Sequence, residues 1–227
     1  MFERVISLVG NDNYQKIKNT TVLVVGLGGV GGYAVESLVR SGIGTLILID
    51  HDTIDITNLN RQVISLNSNI GKPKVEVALE RCHEINPECH IITHQLFLDE
   101  SNIDLLSNYQ IDYIIDACDS TKTKKLLIDY SLDNHIKLIS SMGTANKIDP
   151  TKLAILDIRK TSYDPLAKIL RKYVQDKKTN QKIMVVSSTE PPIRKDCLSS
   201  LVFVPATAGL LCSNYIIQDI MINYNIK

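Results

Sequence analysis

The stretch "VVGLGGVGG", residues 24–32, constrains this chain more than any other. It closes a β-branched run, "TTVLVVG" at 20–26, and opens a segment, "GVGGYAVESLVRSG" at 29–42, with helical character and a stop at Gly42. Glycines between a buried strand and a helix let the backbone turn sharply and bring its amides to a phosphate at the positive helix end. A glycine turn can also serve packing alone, so its meaning rests on the strand–turn–helix context.

That context is an alternation. "TLILID" (45–50) reads as a second strand. In "KPKVEVALERCHEIN" (72–86), Val75, Ala78, Leu79, Cys82 and Ile85 share one helical face, and Pro87 follows the end. Strands are expected at 89–95, 111–117 and 136–142, with a helix at 120–134 that opens on good cap residues. Beyond residue 150 the pattern loosens into a strand near 153–158, a helix near 164–175 and a polar loop over 176–196, a candidate lid. Strands alternating with helices predict an α/β fold, a doubly wound, Rossmann-like and mainly parallel sheet. The 227 residues suit one domain, with a nucleotide-binding core over about 1–150 and a C-terminal subdomain over about 151–227.

Composition narrows the setting. Lysines and arginines balance aspartates and glutamates at a formal net charge of 0, so no global field favours nucleic acid or membrane. The five cysteines, at 82, 89, 118, 197 and 212, form no C-x-x-C pair, which argues against a disulfide framework and a four-thiolate zinc site. The start lacks a signal-length apolar run, and a reduced, cytoplasmic protein is the expectation. The greasiest region, 201–217, is broken by Pro205, Thr207, Ser213 and Asn214 and reads as a buried helix rather than a stable membrane insertion.

Asp50 ends the second strand, 24 residues after Gly26, where a carboxylate can accept both ribose hydroxyls. Asp52, in the loop that follows, reads as a solvated acid. The glycine turn and Asp50 do not separate NAD from ATP. "TNLNRQ" (57–62) and "GKPK" (71–74) do, because they place Arg61 and Lys74 on segments leaving the same pocket. A triphosphate needs such cations, since phosphoryl and adenylyl transfer rest on positioning and charge neutralisation, whereas hydride transfer has no use for them. The fourth strand ends in "DACDS" (116–120), putting Asp116 and Asp119 at the sheet edge where ligands bind. A carboxylate there suits Mg²⁺ held together with phosphate oxygens.

Taken together, "GLGGVGG", "LIDHDTIDITNLNRQ", "GKPKVEVALERCHEINPE" and "IIDACDS" resemble the ubiquitin-activating-enzyme-like (ThiF-like) adenylating superfamily. The resemblance is dense over residues 20–120. "FERVISLVG", "GTANKIDPTKLAILDIRKTSYDPLAKILR" (143–171) and "RKDCLSSLVFVPATAG" are similar to one branch, the tRNA threonylcarbamoyladenosine dehydratases. What the resemblance implies is an enzyme that uses ATP and Mg²⁺ to close the threonyl carboxylate of a modified adenosine, next to the anticodon, into a ring. It implies that Gly26, Gly28, Gly29, Gly31 and Asp50 hold the nucleotide, that Asn58 and Arg61 contact its phosphates, that Lys74 neutralises them, and that Asp119 holds Mg²⁺. Arg4 matches an N-terminal arginine that reaches across a homodimer to the partner's nucleotide. Sulfur-transfer proteins are implied as further partners. The zinc cysteine pairs of the sulfur-carrier branches are missing. Cys197, the only cysteine in a plausible loop near the site, is a tentative catalytic residue beside Lys195 or else an incidental one.

Residues 158–182, "IRKTSYDPLAKILRKYVQDKKTNQK", hold eight Lys/Arg against two Asp, so a neutral chain can carry a basic face for tRNA. A solvated helix would read the same way. Two other functions fit parts of the pattern: adenylation of the C-terminal glycine of a ubiquitin-like sulfur carrier, and a non-catalytic nucleotide sensor, against which the intact Arg61, Lys74 and Asp119 speak.

Overall fold

The computed structural model describes residues 1–193 and 195–221; Arg194 of the "RKDC" stretch and residues 222–227 of the expected single domain lie outside them. Two short helices, α1 (Glu3–Val9) and α2 (Asn11–Lys18), meet at Gly10. The alternating part then runs β1 (Thr21–Val25), α3 (Gly31–Arg40), β2 (Thr45–Ile49), α4 (Lys74–Ile85), β3 (His90–His94), β4 (Tyr113–Asp116), α5 (Thr121–Asp133) and β5 (Lys137–Ser141). β6 (Leu153–Asp157), α6 (Pro165–Asp176), β7 (Met184–Ser188) and α7 (Phe203–Met221) follow.

One seven-stranded sheet has the order β3-β2-β1-β4-β5-β7-β6, parallel throughout except for β6, which pairs antiparallel with β7. This is the doubly wound, Rossmann-like α/β fold that the alternation predicts. Side chains of a strand alternate between faces, and both faces here are apolar. Val22, Val24, Leu46, Leu48 and Ile115 join one core with α3, α4 and α7; Leu23, Val25, Ile47, Ile49 and Ile114 join the other with α5 and α6. The strand order reverses between β1 and β4, and that reversal opens a crevice at the carboxyl ends of the strands.

The polar loop expected over 176–196 is not one loop. Residues 184–188 are β7, inserted between β5 and β6 with Val185–Ser188 buried, so this part cannot move as a lid. The apolar run there is only "IMVV", flanked by polar residues on both sides, and too short to carry a period. β6 and β7 extend the same sheet that the first 150 residues build. α7 buries Val204, Ala208, Cys212 and Ile216, a helical stripe, and Ser213 Oγ meets Ser37 Oγ of α3 at 2.6 Å. Among the described residues no helix is long and apolar enough to cross a membrane.

Candidate functional site

A cleft of about 520 Å³ opens where β1, β2, β4 and β5 end, within the size range of small-molecule sites. The glycine turn forms its floor. Gly26 has φ +91°, and a Cβ there would lie 2.8 Å from the Ala117 carbonyl, so both conformation and space demand glycine. Gly26, Gly28 and Gly29 line the cleft. Gly31 does not: a Cβ on it would run into the Gly26 carbonyl, so its work is to let α3 start directly against the turn.

Asp50 is buried on the cleft wall. Its Oδ2 accepts from Leu27 N (2.6 Å) and its Oδ1 from Asp52 N (2.8 Å), which ties the glycine turn to the next loop. Each carboxylate oxygen keeps a second lone pair for a ribose hydroxyl.

The "TNLNRQ" segment is held by a reciprocal cap. Asp55 Oδ1 accepts from Thr57 N (2.8 Å), and Asn58 Oδ1 accepts from Asp55 N (3.1 Å), which leaves the Asn58 amide nitrogen for the cleft. Arg61 reaches the same wall, its Nη1 donating to Thr57 O (2.7 Å) and Asn60 Oδ1 (2.9 Å). Lys74 opens α4 almost fully buried, and its Nζ donates to Asp52 Oδ2 at 2.8 Å. Asp52 is therefore not merely solvated. Partial burial pushes its carboxyl up, but the Lys74 hydrogen bond and charge, with His51 at 3.2 Å, outweigh that and hold it below the usual range. Arg61, Lys74 and the glycine turn thus converge on one cleft as their spacing predicts.

Asp116 and Asp119 part company. Asp116 is fully buried; Oδ1 accepts from Lys124 Nζ (3.0 Å) and Oδ2 from Ser140 Oγ (2.6 Å). Lys124 is equally buried and also donates to Ser141 O (2.9 Å). This pair fixes the strand end, and Asp116, fully buried and off the cleft wall, is out of reach of a metal there. Asp119 is an exposed carboxylate on the cleft wall. One such carboxylate beside a phosphate site fits Mg²⁺, which keeps several waters and takes one or two carboxylates with phosphate oxygens. Asp50, His51 and Asp52 bring ligand atoms within 4.8 Å of one another, with Asp52 paired to Lys74 and Asp50 tied to the glycine turn and the next loop.

The cysteine assignment needs correcting. Cys118, not Cys197, lines the cleft. Burial first, then the adjacent Asp116 charge, pushes the Cys118 thiol far up, so it is no nucleophile at neutral pH. Cys197 is exposed, with Ser199 Oγ at 3.6 Å, and its neighbours Leu198 and Ser200 rather than its own side chain face the cleft. Arg4 is exposed on α1 and does not line its own chain's cleft.

Sequence reasoning missed Gln62. It is 6% exposed, lines the cleft, and its Oε1 has no partner among the described residues. Its place directly after Arg61 in the same motif was the available signal. The opposite wall was also missed. Gly143, Thr144 and Ala145 form it with Leu166, Leu198 and Pro205. Asn146, at φ +58°, clips this loop to the next one: its N–H donates to Ser199 O (2.7 Å) and its Oδ1 accepts from Ser199 N (2.8 Å). Lys147, also buried, donates to Asp164 Oδ2 (3.0 Å), and Asp164 caps α6.

A model of the ThiF family matches residues 2–221. The tRNA threonylcarbamoyladenosine dehydratase of Bacillus subtilis is 39% identical over 245 residues, spanning 100% of this chain and 96% of the relative. The Escherichia coli protein of the same name is 37% identical over 91% of this chain and 76% of its own length. A crystal structure of E. coli tRNA N6-threonylcarbamoyladenosine dehydratase in complex with ATP superposes with a TM-score of 0.92 at 34% identity, covering 98% of this chain and 94% of that one.

Proposed function

We propose, from the premise that this chain belongs to the ThiF family, that it carries out the ATP-dependent dehydration of threonylcarbamoyladenosine in tRNA. One observation carries the reading: the glycine turn, Asp50, Arg61, Lys74 and Asp119 converge on a single cleft in a chain whose relatives match it from end to end. Activation of a ubiquitin-like sulfur carrier is not favoured, because those full-length relatives are dehydratases.

The chemistry follows from a poor electrophile. A carboxylate does not expel oxide. Its oxygen attacks the α-phosphorus of ATP, pyrophosphate leaves, and the product is an acyl adenylate with AMP as leaving group. This first half is ligase-like. A nucleophile within the modified base then attacks the activated carbonyl, a five-membered ring closes, and AMP departs with the carboxylate oxygen. The protein's part is positioning and charge. The glycine-turn amides and Asp50 seat the nucleotide; Asn58 and Arg61 bind its phosphates; Lys74 moves from Asp52 towards them as they arrive. Asp119 is the residue to hold Mg²⁺, which would add charge neutralisation on the phosphate oxygens. Water must be excluded, since hydrolysis of the acyl adenylate returns the starting acid.

The enzyme is a cytoplasmic homodimer in this reading, with Arg4 of one protomer approaching the phosphates of its partner. Sulfur-transfer proteins are accessory partners. The basic segment around α6 takes the tRNA, with one amendment. Arg171 Nη1 is bound to Thr161 O (2.5 Å) and Oγ1 (2.9 Å), so it braces the entry to α6 and is not a phosphate contact. Mass spectrometry of tRNA nucleosides after incubation with protein and ATP is the test. Loss of one water from threonylcarbamoyladenosine is expected; an unchanged nucleoside with full ATP occupancy refutes the reading.

A further inference from the structure

α5 and α6 lie side by side on one face of the sheet and run the same way. Ser120 and Thr123 at the start of α5 and Leu166 at the start of α6 all line the cleft. Further along, Lys125 Nζ stands 5.0 Å from the Tyr173 ring centroid. One turn on, Asp129 accepts from Tyr173 Oη (2.6 Å) and pairs with Lys177 Nζ (2.6 Å). The contacts advance together on both helices, which makes the pair parallel, with both N-termini at the cleft.

This seam is lysine-rich on both sides, and two of its six lysines lie on α5, away from the basic stretch at 158–182. Lys122 and Lys125 come from α5, Lys168, Lys172 and Lys177 from α6 and its end, and Lys182 from beyond; all but Lys125 are exposed. The acids that face them are Asp129, Asp133 and Asp176. Asp129 is already bound to Lys177 and Tyr173, so the seam stays net positive. Its length matters too. The 12 residues of α6 span about 18 Å at 1.5 Å each, long enough to follow a few consecutive phosphates of one strand.

We infer that the α5–α6 seam is a track for the RNA phosphate backbone, leading away from the modified adenosine in the cleft, and that Lys122 and Lys125 are phosphate contacts. The inference rests on the proposed tRNA substrate and adds the second helix and the direction. An RNA backbone is the occupant that fits, because the cations are spaced along a line that starts at the site of chemistry.

The test is the charge reversal Lys122→Glu/Lys125→Glu, with Lys122→Arg/Lys125→Arg as its conservative partner. Binding to tRNA is followed across salt concentrations. Each lost phosphate contact removes roughly 0.7–0.9 from the slope of log affinity against log salt, so the reversal should lower it by at least about 1.4. The Arg pair should keep the wild-type slope, and ATP affinity should be unchanged in both variants. A trinucleotide centred on the modified adenosine reaches the cleft but not the seam, and both variants should cyclise it at the wild-type rate. An unchanged slope overturns the track, and so does an equal loss of trinucleotide turnover. A variant that keeps its tRNA slope but no longer binds vesicles of anionic lipid assigns the seam to a membrane surface instead. A wild-type protein that cyclises neither RNA refutes the proposed function itself.

Discussion

Two nearly buried lysines are each paired with one aspartate, Lys74 on the cleft wall and Lys124 inside the fold, and the structure gives them opposite duties. Lys74 is 5% exposed, and its partner Asp52 is 47% exposed. Lys124 and its partner Asp116 are both 0% exposed. Replace each lysine by methionine. In Lys124→Met the Asp116 carboxylate stays buried without its cation, and breaking a buried pair in this way costs about 3–5 kcal/mol. For a domain of this size each kcal/mol moves the melting temperature by roughly 2–4 °C, so the fall is roughly 6–20 °C. In Lys74→Met the orphaned Asp52 turns to water, and the loss should stay within about 1 kcal/mol, the range of exposed pairs.

Activity should invert that order. Lys74→Met removes a cation from the charge developing on the phosphate, and loss of one such donor lowers turnover by about 10²–10³. Lys124→Met touches no substrate, and at a temperature where it is folded it should turn over within about ten-fold of wild type, the deficit coming from the displaced 117–120 loop. The chain has no tryptophan, so melting is followed by circular dichroism and cyclisation by nucleoside mass spectrometry. The double variant Asp116→Asn/Lys124→Met should recover more than half of the lost stability, because no buried charge remains. Equal melting temperatures for the two single variants would refute the argument, as would a Lys74→Met enzyme of near-normal rate.

Other outcomes follow from the same geometry. Arg61→Ala should abolish cyclisation while the melting temperature moves by no more than a few degrees, since its hydrogen bonds are to exposed loop groups; full turnover would remove Arg61 from the phosphate site. Glu36 joins α3 to α4 through Arg81 (2.6 Å) and also binds Arg40. Its burial pushes the carboxyl up, but the Arg81 and Arg40 hydrogen bonds and charges more than offset this and lower it below 4.5. A lowered carboxyl stabilises the fold above its unfolded value and loses that contribution as pH falls through its folded one. Glu36→Gln should therefore lose about 1–2 kcal/mol at pH 7, a gap that narrows steadily as pH falls below the ordinary carboxylate range, measured by urea midpoints; a pH-independent gap would assign the effect to packing. Mixing Arg4→Ala with Lys74→Met protomers, each inactive alone, should restore turnover under conditions of subunit exchange, because one of the two sites becomes whole; no recovery would refute the shared site.

The parts of this protein that could be read from its sequence are those whose cause is local. β1, β2 and β4 are continuous apolar runs because a parallel strand is buried on both faces, and the glycine turn is legible because one backbone conformation is open to it. Arg61 and Lys74 were legible only as a pair, on two segments leaving one strand. Where the cause is distant the sequence falls silent. β7 is five residues long and is a strand because β5 and β6 flank it, not because its own pattern demands it.

Two distinctions at the site share that origin. "DACDS" offers two aspartates of the same type three residues apart, and nothing local ranks them. What ranks them is Lys124, eight residues on and one helical turn into α5, together with Ser140 on the neighbouring strand. Once those two groups hold Asp116 fully buried, Asp119 is the one of the two left on the cleft wall. The same reversal separates the cysteines. Cys197 sits in a polar loop and looks accessible, while Cys118 borders the cleft but has its thiol pushed up, first by burial and then by the Asp116 carboxylate 3.1 Å away. A buried ion pair therefore separates the two aspartates. It withdraws Asp116 from the chemistry and leaves the Asp119 carboxylate facing the site where the phosphates would lie.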